Sequence, residues 1–281
     1  MSNAVKVALD GGPYALAAGP DGAMWVTLVD AGEIARITAD GDVSRYPVGP
    51  QARPALITSG PDGAVWFTRH GDDRIGRIDM AGELEAFELP DGSAPFGICV
   101  GPGDALWFTA MRSGVIGSIA TDGEITIEAT VGGAPSMITS GPDGAVWFTL
   151  NESNKVGRWH RGRVVTRELP TRAAGPVGIA ATHDDAVWFT ETRAGKLGRI
   201  PMDDAIQELE LPGRPHAVVA DPADGVWVSL WETAQLARVS SDGEVIVIDL
   251  PAGSEPHGVA IGPDGAAWVA LQAGYVLRMP T

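Results

Sequence analysis

Apolar runs and polar turns alternate along the whole chain with a period of about 40 residues. Tryptophans separated by 39 to 41 positions mark this period: Trp25, Trp66, Trp107, Trp147, Trp188, Trp227 and Trp268. A proline stands twelve positions before each of them: Pro13, Pro54, Pro95, Pro135, Pro176, Pro215 and Pro256. Seven copies in register indicate a repeat architecture built from units of this length.

Each copy predicts four short strands. An apolar run follows the proline, and a Gly-Pro-Asp-Gly turn, as at 60–63, leads to a second run such as Val146-Trp147-Phe148-Thr149. A polar loop then precedes a third run, and an Asp-Gly turn opens a fourth that ends in Leu-Pro. Strands and turns account for the whole repeat and leave no segment for a helix. Four-stranded antiparallel units at this period predict an all-β fold, a seven-bladed β-propeller.

The two ends of the chain predict how the ring closes. The seventh copy supplies only three strands before Thr281, and the apolar run Val5 to Leu9 fits the missing fourth. We therefore expect the N-terminal strand to complete the last blade, and residues 1–281 to form a single domain.

The strand after each proline should lie innermost, so its start meets the end of the second strand on one face of the ring. His216 and His257 begin blades six and seven there, and ring closure brings Tyr14 beside His257. Glu255 should begin the first strand of blade seven, next to Gln272 at the end of the paired strand. Apolar side chains should fill the rest of this face: Phe96, Met111, Leu150, Leu230 and Trp231. Such a mixture is typical of a small-molecule site.

Each of these residues also has a structural interpretation. A single histidine in a channel is more often a hydrogen-bonded structural group, but two in the same register of neighbouring blades favour a function. Trp231 lies outside the tryptophan repeat, which favours a ligand contact. Arg69, His70 and Glu191 also fall on this face, and the sequence leaves their roles open.

Charge and composition limit the classes of partner that the protein can bind. The net charge is 20 − 36 = −16, which disfavours binding to nucleic acid. The single cysteine, Cys99, excludes an internal disulfide. The N-terminus has no signal-peptide pattern and no long apolar run follows, so we expect a cytoplasmic, monomeric protein without a membrane partner.

Histidine, carboxylate and amide together allow two kinds of chemistry. An imidazole is a suitable general base at neutral pH. A carboxylate beside an amide oxygen can hold Mg²⁺, which keeps much of its water. A metal next to a base can assist either proton abstraction or hydrolysis, and residue types alone do not separate the two. The Gly-x-Ser-x-Gly elbow of serine hydrolases and the phosphate-binding loop of NTPases are both missing from the sequence.

The whole chain resembles the virginiamycin B lyase, or streptogramin B lyase, family. The resemblance rests on the repeated Trp-Phe-Thr strands and above all on Arg214-Pro215-His216 and Glu255-Pro256-His257. It implies an enzyme that linearises cyclic type B streptogramins without water. A base would take the α-proton of the phenylglycine at the ester, Mg²⁺ would stabilise the enolate, and the threonine-side C–O bond would break.

Carried onto this sequence, the resemblance assigns the general base to His257 and a Mg²⁺ ligand to Glu255. It assigns substrate binding to His216, Tyr14 and Trp231. The family's second metal-ligand glutamate aligns with Gln272, so one negative charge is lost. Only blade five keeps the family's Trp-Phe-Thr-Glu, at Glu191, which predicts an altered pocket wall.

Two other functions remain open from the sequence. One is a metal-dependent lactonase or esterase on the same scaffold, and the other is a propeller that binds a ligand without catalysis.

Overall fold

Seven four-stranded antiparallel sheets form the blades of a closed ring, in a computed structural model that describes residues 5–202 and 205–279. The first strand of the chain is β1 (Val5–Ala8). Blade one contains β2 (Pro13–Ala18), β3 (Met24–Leu28), β4 (Glu33–Ile37) and β5 (Val43–Pro47). Blade two contains β6 (Pro54–Ser59), β7 (Val65–Arg69), β8 (Arg74–Ile78) and β9 (Leu84–Glu88). Blade three contains β10 (Pro95–Gly101), β11 (Ala105–Ala110), β12 (Val115–Ile119) and β13 (Ile125–Thr130).

The remaining blades repeat this order. Blade four contains β14 (Pro135–Ser140), β15 (Val146–Leu150), β16 (Lys155–His160) and β17 (Arg163–Glu168). Blade five contains β18 (Pro176–Thr182), β19 (Ala186–Glu191), β20 (Lys196–Pro201) and β21 (Gln207–Glu210). Blade six contains β22 (Pro215–Ala220), β23 (Val226–Leu230), β24 (Gln235–Val239) and β25 (Val245–Asp249). Blade seven contains β26 (Pro256–Ile261), β27 (Ala267–Leu271) and β28 (Tyr275–Arg278), with β1 as its outer strand. The predicted all-β propeller is confirmed.

The N-terminal strand closes the ring as predicted. β1 pairs antiparallel with β28, with Val7 opposite Val276. The inner strand β26 of blade seven packs against the inner strand β2 of blade one. Val7 is buried in the core between these blades, whereas Val5, two residues earlier on the same face, lies at the start of the strand and is half exposed.

Helix is confined, within the described residues, to a single 3₁₀ turn at Pro102–Asp104. No helix in that part of the chain has the length or the apolar character needed to cross a membrane.

A buried hydroxyl joins each of the first six blades to the next. In blade one, Thr27 Oγ1 accepts a hydrogen bond from Ala15 N at 2.9 Å and donates one to Ala55 O of blade two at 2.8 Å. The equivalent donations run from Thr68 to Phe96, Thr109 to Ser136, Thr149 to Val177, Thr190 to His216 and Ser229 to His257. The inner strands also approach each other closely. A Cβ on Gly258 would lie 2.6 Å from Tyr14 O, so only glycine fits there.

Glu191, the last residue of β19, is fully buried between two residues that hold blade six. Thr190 Oγ1 donates to His216 O, and Thr192 Oγ1 donates to Pro215 O at 2.7 Å. Neither Glu191 carboxyl oxygen has a hydrogen-bond partner among the described residues. Burial, followed by the negative charge of Glu208, raises the pKa of Glu191 to about 8. This carboxyl is therefore protonated at neutral pH.

Ring closure predicts that two valines on one strand differ sharply in their tolerance of charge. We expect Val7→Asp to lower the free energy of unfolding by about 3 kcal/mol, because the carboxylate is buried without a partner. Val5→Asp, at the exposed start of the same strand, should change it by less than about 0.5 kcal/mol. Denaturant unfolding of both variants measures the difference, and equal stabilities would contradict a closing role for β1.

Glu191 predicts a pH-dependent stability. Between the ordinary glutamate pKa and about 8, the unfolded chain has released this proton while the folded protein still binds it. Stability is therefore lost as the pH rises through this window, on the order of 3 kcal/mol between pH 5 and pH 8. Glu191→Gln removes the titration, so its unfolding midpoint should fall less over the same range. Glu210→Gln, an exposed glutamate on neighbouring β21, is the matched control and should behave as the wild type.

Candidate active site

The predicted site residues of blades one, six and seven meet on one face of the ring. His216, His257 and Tyr14 are each the second residue of an inner strand, in β22, β26 and β2. Trp231 and Gln272 directly follow the second strands β23 and β27. The proline-anchored repeat thus places five side chains from three blades around one point.

His257 lies at the centre of this group. Its ring centroid is 4.8 Å from that of Tyr14, 4.9 Å from that of His216 and 6.3 Å from that of Trp231. The two imidazoles meet edge to face at 89°. Tyr14 is also 6.0 Å from His216, so it contacts both histidines. The expectation that ring closure brings Tyr14 beside His257 is correct.

Gln272 makes a direct polar contact with His257 that the sequence did not predict. Its Oε1 lies 2.7 Å from His257 Nε2. The other ring nitrogen, Nδ1, is buried and has no hydrogen-bond partner within residues 5–202 and 205–279. One nitrogen of the imidazole is therefore held by the protein, and the other has no partner among the described residues.

Burial keeps both imidazoles neutral. It lowers the pKa of His257, and the Gln272 hydrogen bond and the negative charge of Glu255 offset this only in part. For His216, burial and the neighbouring His257 charge lower the pKa to about 3, against a weaker contribution from a hydrogen bond to the backbone of His257. Burial also raises the pKa of Tyr14, so its phenol stays protonated. The cluster can accept or donate protons without carrying charge at rest.

Glu255 is near Gln272, but not for the expected reason. Gln272 N donates to Glu255 O at 3.1 Å, which confirms that the two residues are opposite each other. The strand, however, begins at Pro256, and Glu255 has a left-handed φ of 52°. The expectation that Glu255 begins the strand is therefore wrong, and the alternation of a regular strand does not extend to its side chain.

Glu255 and Gln272, whose backbones are hydrogen-bonded to each other, carry oxygen atoms of the kind that Mg²⁺ prefers. The Glu255 carboxylate is exposed and forms no ion pair with the described residues. Gln272 Oε1 retains one lone pair beside its contact with His257. No cluster of three or more His, Cys, Asp or Glu residues occurs in the described part of the chain. A cation here would be held by few protein atoms and would keep most of its water.

The apolar part of the face differs from the prediction. Leu150 and Leu230 are the last residues of their strands and are buried in the core rather than exposed to the site. The same holds for Ala110 and Leu271, so these four residues at the position of the family's glutamate do not line the face. Phe96 does contact the site, with its ring 6.3 Å from Tyr14.

Arg69 and His70 make their polar contacts outside the histidine cluster. Arg69 forms an ion pair with Asp72, three residues ahead. His70 Nδ1 lies 3.3 Å from Pro95 O, and its ring packs edge-on against Phe96. Arg69 thus makes its contact within blade two, and His70 joins blade two to blade three.

Below the cluster, the inner strands of all seven blades line a cavity of about 240 Å³ in the central channel. Tyr14 and His216 contribute to its lining, and the remaining lining is largely aliphatic, including Leu56, Ile98 and Met137. The site therefore combines a few polar atoms with an apolar concavity, the usual form of a small-molecule site.

Comparison with known proteins identifies the family. Residues 2–279 match the model of the virginiamycin B lyase family. A virginiamycin B lyase of Mycolicibacterium smegmatis is 73% identical over 281 residues, covering 100% of both chains. One from Mycobacterium sp. strain KMS is 68% identical over 271 residues, covering 96% of this chain and 97% of the relative.

Solved structures agree with these relatives. A streptogramin B lyase structure superposes with a TM-score of 0.93 at 33% identity, over 99% of this chain and 97% of that one. A catalytically inactive histidine-to-alanine variant of virginiamycin B lyase from Staphylococcus aureus, with quinupristin, superposes with a TM-score of 0.92 at 34% identity, over 98% of each chain. In sequence and in fold, this chain belongs to the virginiamycin B lyase family, and it is a lyase.

Proposed function

We propose that this protein linearises cyclic type B streptogramins by eliminating the ester C–O bond without water. The observation that carries the proposal is the histidine cluster, in which a neutral His257 presents a buried, unpartnered Nδ1. The family and the similarity to a lyase structure with quinupristin support the substrate class.

His257 is the general base in this proposal. Its lowered pKa keeps the imidazole in the proton-accepting form at neutral pH. Nδ1 is free to take a proton, because Nε2 is engaged by Gln272. His216 is less suitable, since a nitrogen whose pKa lies near 3 is a weak base. It is suited to a neutral hydrogen bond with the substrate.

Atom balance decides which proton His257 removes. Breaking the threonine-side C–O bond by elimination requires loss of the proton on the neighbouring threonyl α-carbon. The electron pair of that C–H bond forms the new double bond, and the phenylglycine carboxylate leaves with the C–O electrons. Removal of the phenylglycine α-proton, as the resemblance first implied, does not balance this reaction. We therefore assign the threonyl α-proton to His257.

Tyr14, Trp231 and His216 orient the substrate in this proposal. Tyr14 and Trp231 flank His257 and offer aromatic faces to apolar side chains of a cyclic depsipeptide. Trp231 is more than a third exposed although it is a large aromatic residue, which fits a surface that a ligand covers.

Glu255 and Gln272 would hold the Mg²⁺ ion. When bound, the ion supplies positive charge that polarises a substrate carbonyl and acidifies the adjacent α-proton. With a single carboxylate among the two protein ligands, binding should be weak.

The mass of the product distinguishes elimination from the alternatives. Incubation with a type B streptogramin should give a linear product of unchanged mass, with no oxygen incorporated from isotopically labelled water. We expect His257→Ala to lower kcat by ~10²–10⁴-fold with substrate binding largely kept. His216→Ala should raise KM more than it lowers kcat, because its contact with substrate is uniform.

Other outcomes of this experiment assign other functions. A product heavier by one water would make the protein a lactonase or esterase, and binding without product would make it a ligand-binding propeller. A normal kcat in His257→Ala with an inactive His216→Ala would reverse the two roles.

The metal assignment predicts a specific response to chelation. EDTA should abolish turnover, and added Mg²⁺ should restore it. Calorimetric titration should show weak Mg²⁺ binding to the wild type, at least about tenfold weaker binding to Glu255→Gln, and tighter binding to Gln272→Glu, which adds a carboxylate. Turnover that is insensitive to EDTA would exclude the metal role.

A further inference from the structure

Gln272 has a second role in addition to binding the proposed cation. We propose that Gln272 is a positioning residue, whose amide oxygen fixes His257 as the Nε2–H tautomer and so makes Nδ1 the atom that takes the substrate proton. This assignment rests on the proposed function for its catalytic consequence, but the tautomer itself is a property of the free protein.

The chemistry of the contact sets the tautomer. A carbonyl oxygen accepts hydrogen bonds and donates none, so the 2.7 Å contact requires a hydrogen on His257 Nε2. In a neutral imidazole the other nitrogen must then carry the lone pair. That nitrogen, Nδ1, is the buried one without a partner among the described residues. A buried acceptor without a donor is costly to maintain, and such atoms concentrate at functional sites.

Both partners of this contact are held by the backbone. Gln272 N donates to Glu255 O at 3.1 Å, and the preceding residue, Leu271, is fully buried opposite Pro256. On the other side, Ser229 Oγ of blade six donates to His257 O at 2.6 Å. The backbones of both residues are therefore held in place, which keeps their side chains within hydrogen-bond reach of each other.

No described residue occupies Nδ1 with a hydrogen bond, so the nitrogen keeps its lone pair for a substrate proton. The rings nearest to His257 are those of Tyr14 and His216, and His216 is itself neutral. The role of Gln272 corresponds to that of the residue that holds the imidazole of a catalytic triad in its working tautomer. Glutamine provides this orientation through an amide, without adding a negative charge beside the base.

The test combines nuclear magnetic resonance with kinetics. In protein with ¹⁵N-labelled histidine, above the titration range of histidine, His257 should show the Nε2–H tautomer. In Gln272→Leu the Nδ1–H tautomer should become populated even without added metal, and kcat measured at saturating Mg²⁺ should fall about tenfold with KM nearly unchanged. Gln272→Glu retains an oxygen acceptor and should keep the wild-type tautomer.

Asn151→Leu is the matched control. Asn151 occupies in blade four the position of Gln272 in blade seven, and its amide bonds Pro176 O rather than a histidine. This variant should leave both the His257 tautomer and kcat unchanged.

Two results would overturn the proposal. One is an Nδ1–H tautomer of His257 in the wild type, which would mean that the amide donates to Nε2. The other is a Gln272→Leu protein with unaltered tautomer and kcat. Failure of the proposed function would give a different result. A wild-type protein that shows the Nε2–H tautomer but does not convert a streptogramin would support the positioning role of Gln272 and contradict the proposed substrate.

Discussion

The buried hydroxyl between neighbouring blades is the contact on which the rest of the structure depends. Each hydroxyl accepts from its own inner strand and donates to a carbonyl of the next, as Thr190 does toward His216. It satisfies two backbone groups that the irregular start of the inner strand would otherwise leave buried and unpaired. The interface between blades seven and one has Ala270 at this position and relies instead on the apolar packing around β1.

The same contacts position the active site. Thr190 and Ser229 hold the carbonyls of His216 and His257, so the two histidines are fixed by the bonds that join blades five, six and seven. A second layer of bonds runs from the residue after the second strand to the proline of the next blade, as from Thr192 to Pro215. In blade seven this position is Gln272, whose amide contacts the side chain of His257 instead of a proline carbonyl. One departure from the repeat thus becomes part of the site.

Burial determines the charge of this site. The protein carries a net charge of −16, yet His216, His257 and Tyr14 are all uncharged at neutral pH because low exposure disfavours their ionised forms. Glu191 follows the same rule one blade away. A neutral imidazole in an apolar cluster can remove a proton from a neutral substrate without first being deprotonated.

The sequence alone determined the propeller, its closure and the residues that gather at the site. A strict period with proline and tryptophan at fixed positions admits one arrangement of strands, and adjacent blades in a ring must bring His216, His257 and Tyr14 together. These conclusions depend on the order of strands, which the period of the chain specifies.

Only the tertiary structure decided where individual side chains point. Each inner strand carries a register shift just after its proline, as between Pro256 and Val259, and Glu255 precedes it with a left-handed backbone. Two-residue alternation cannot be extended through such a bulge, since the extra residue reverses the faces. For that reason the sequence did not predict the contact between Gln272 and His257. Leu150 and Leu230 were assigned to the site because they end the second strands, but the packing between blades, which strand order does not specify, buries both in the core.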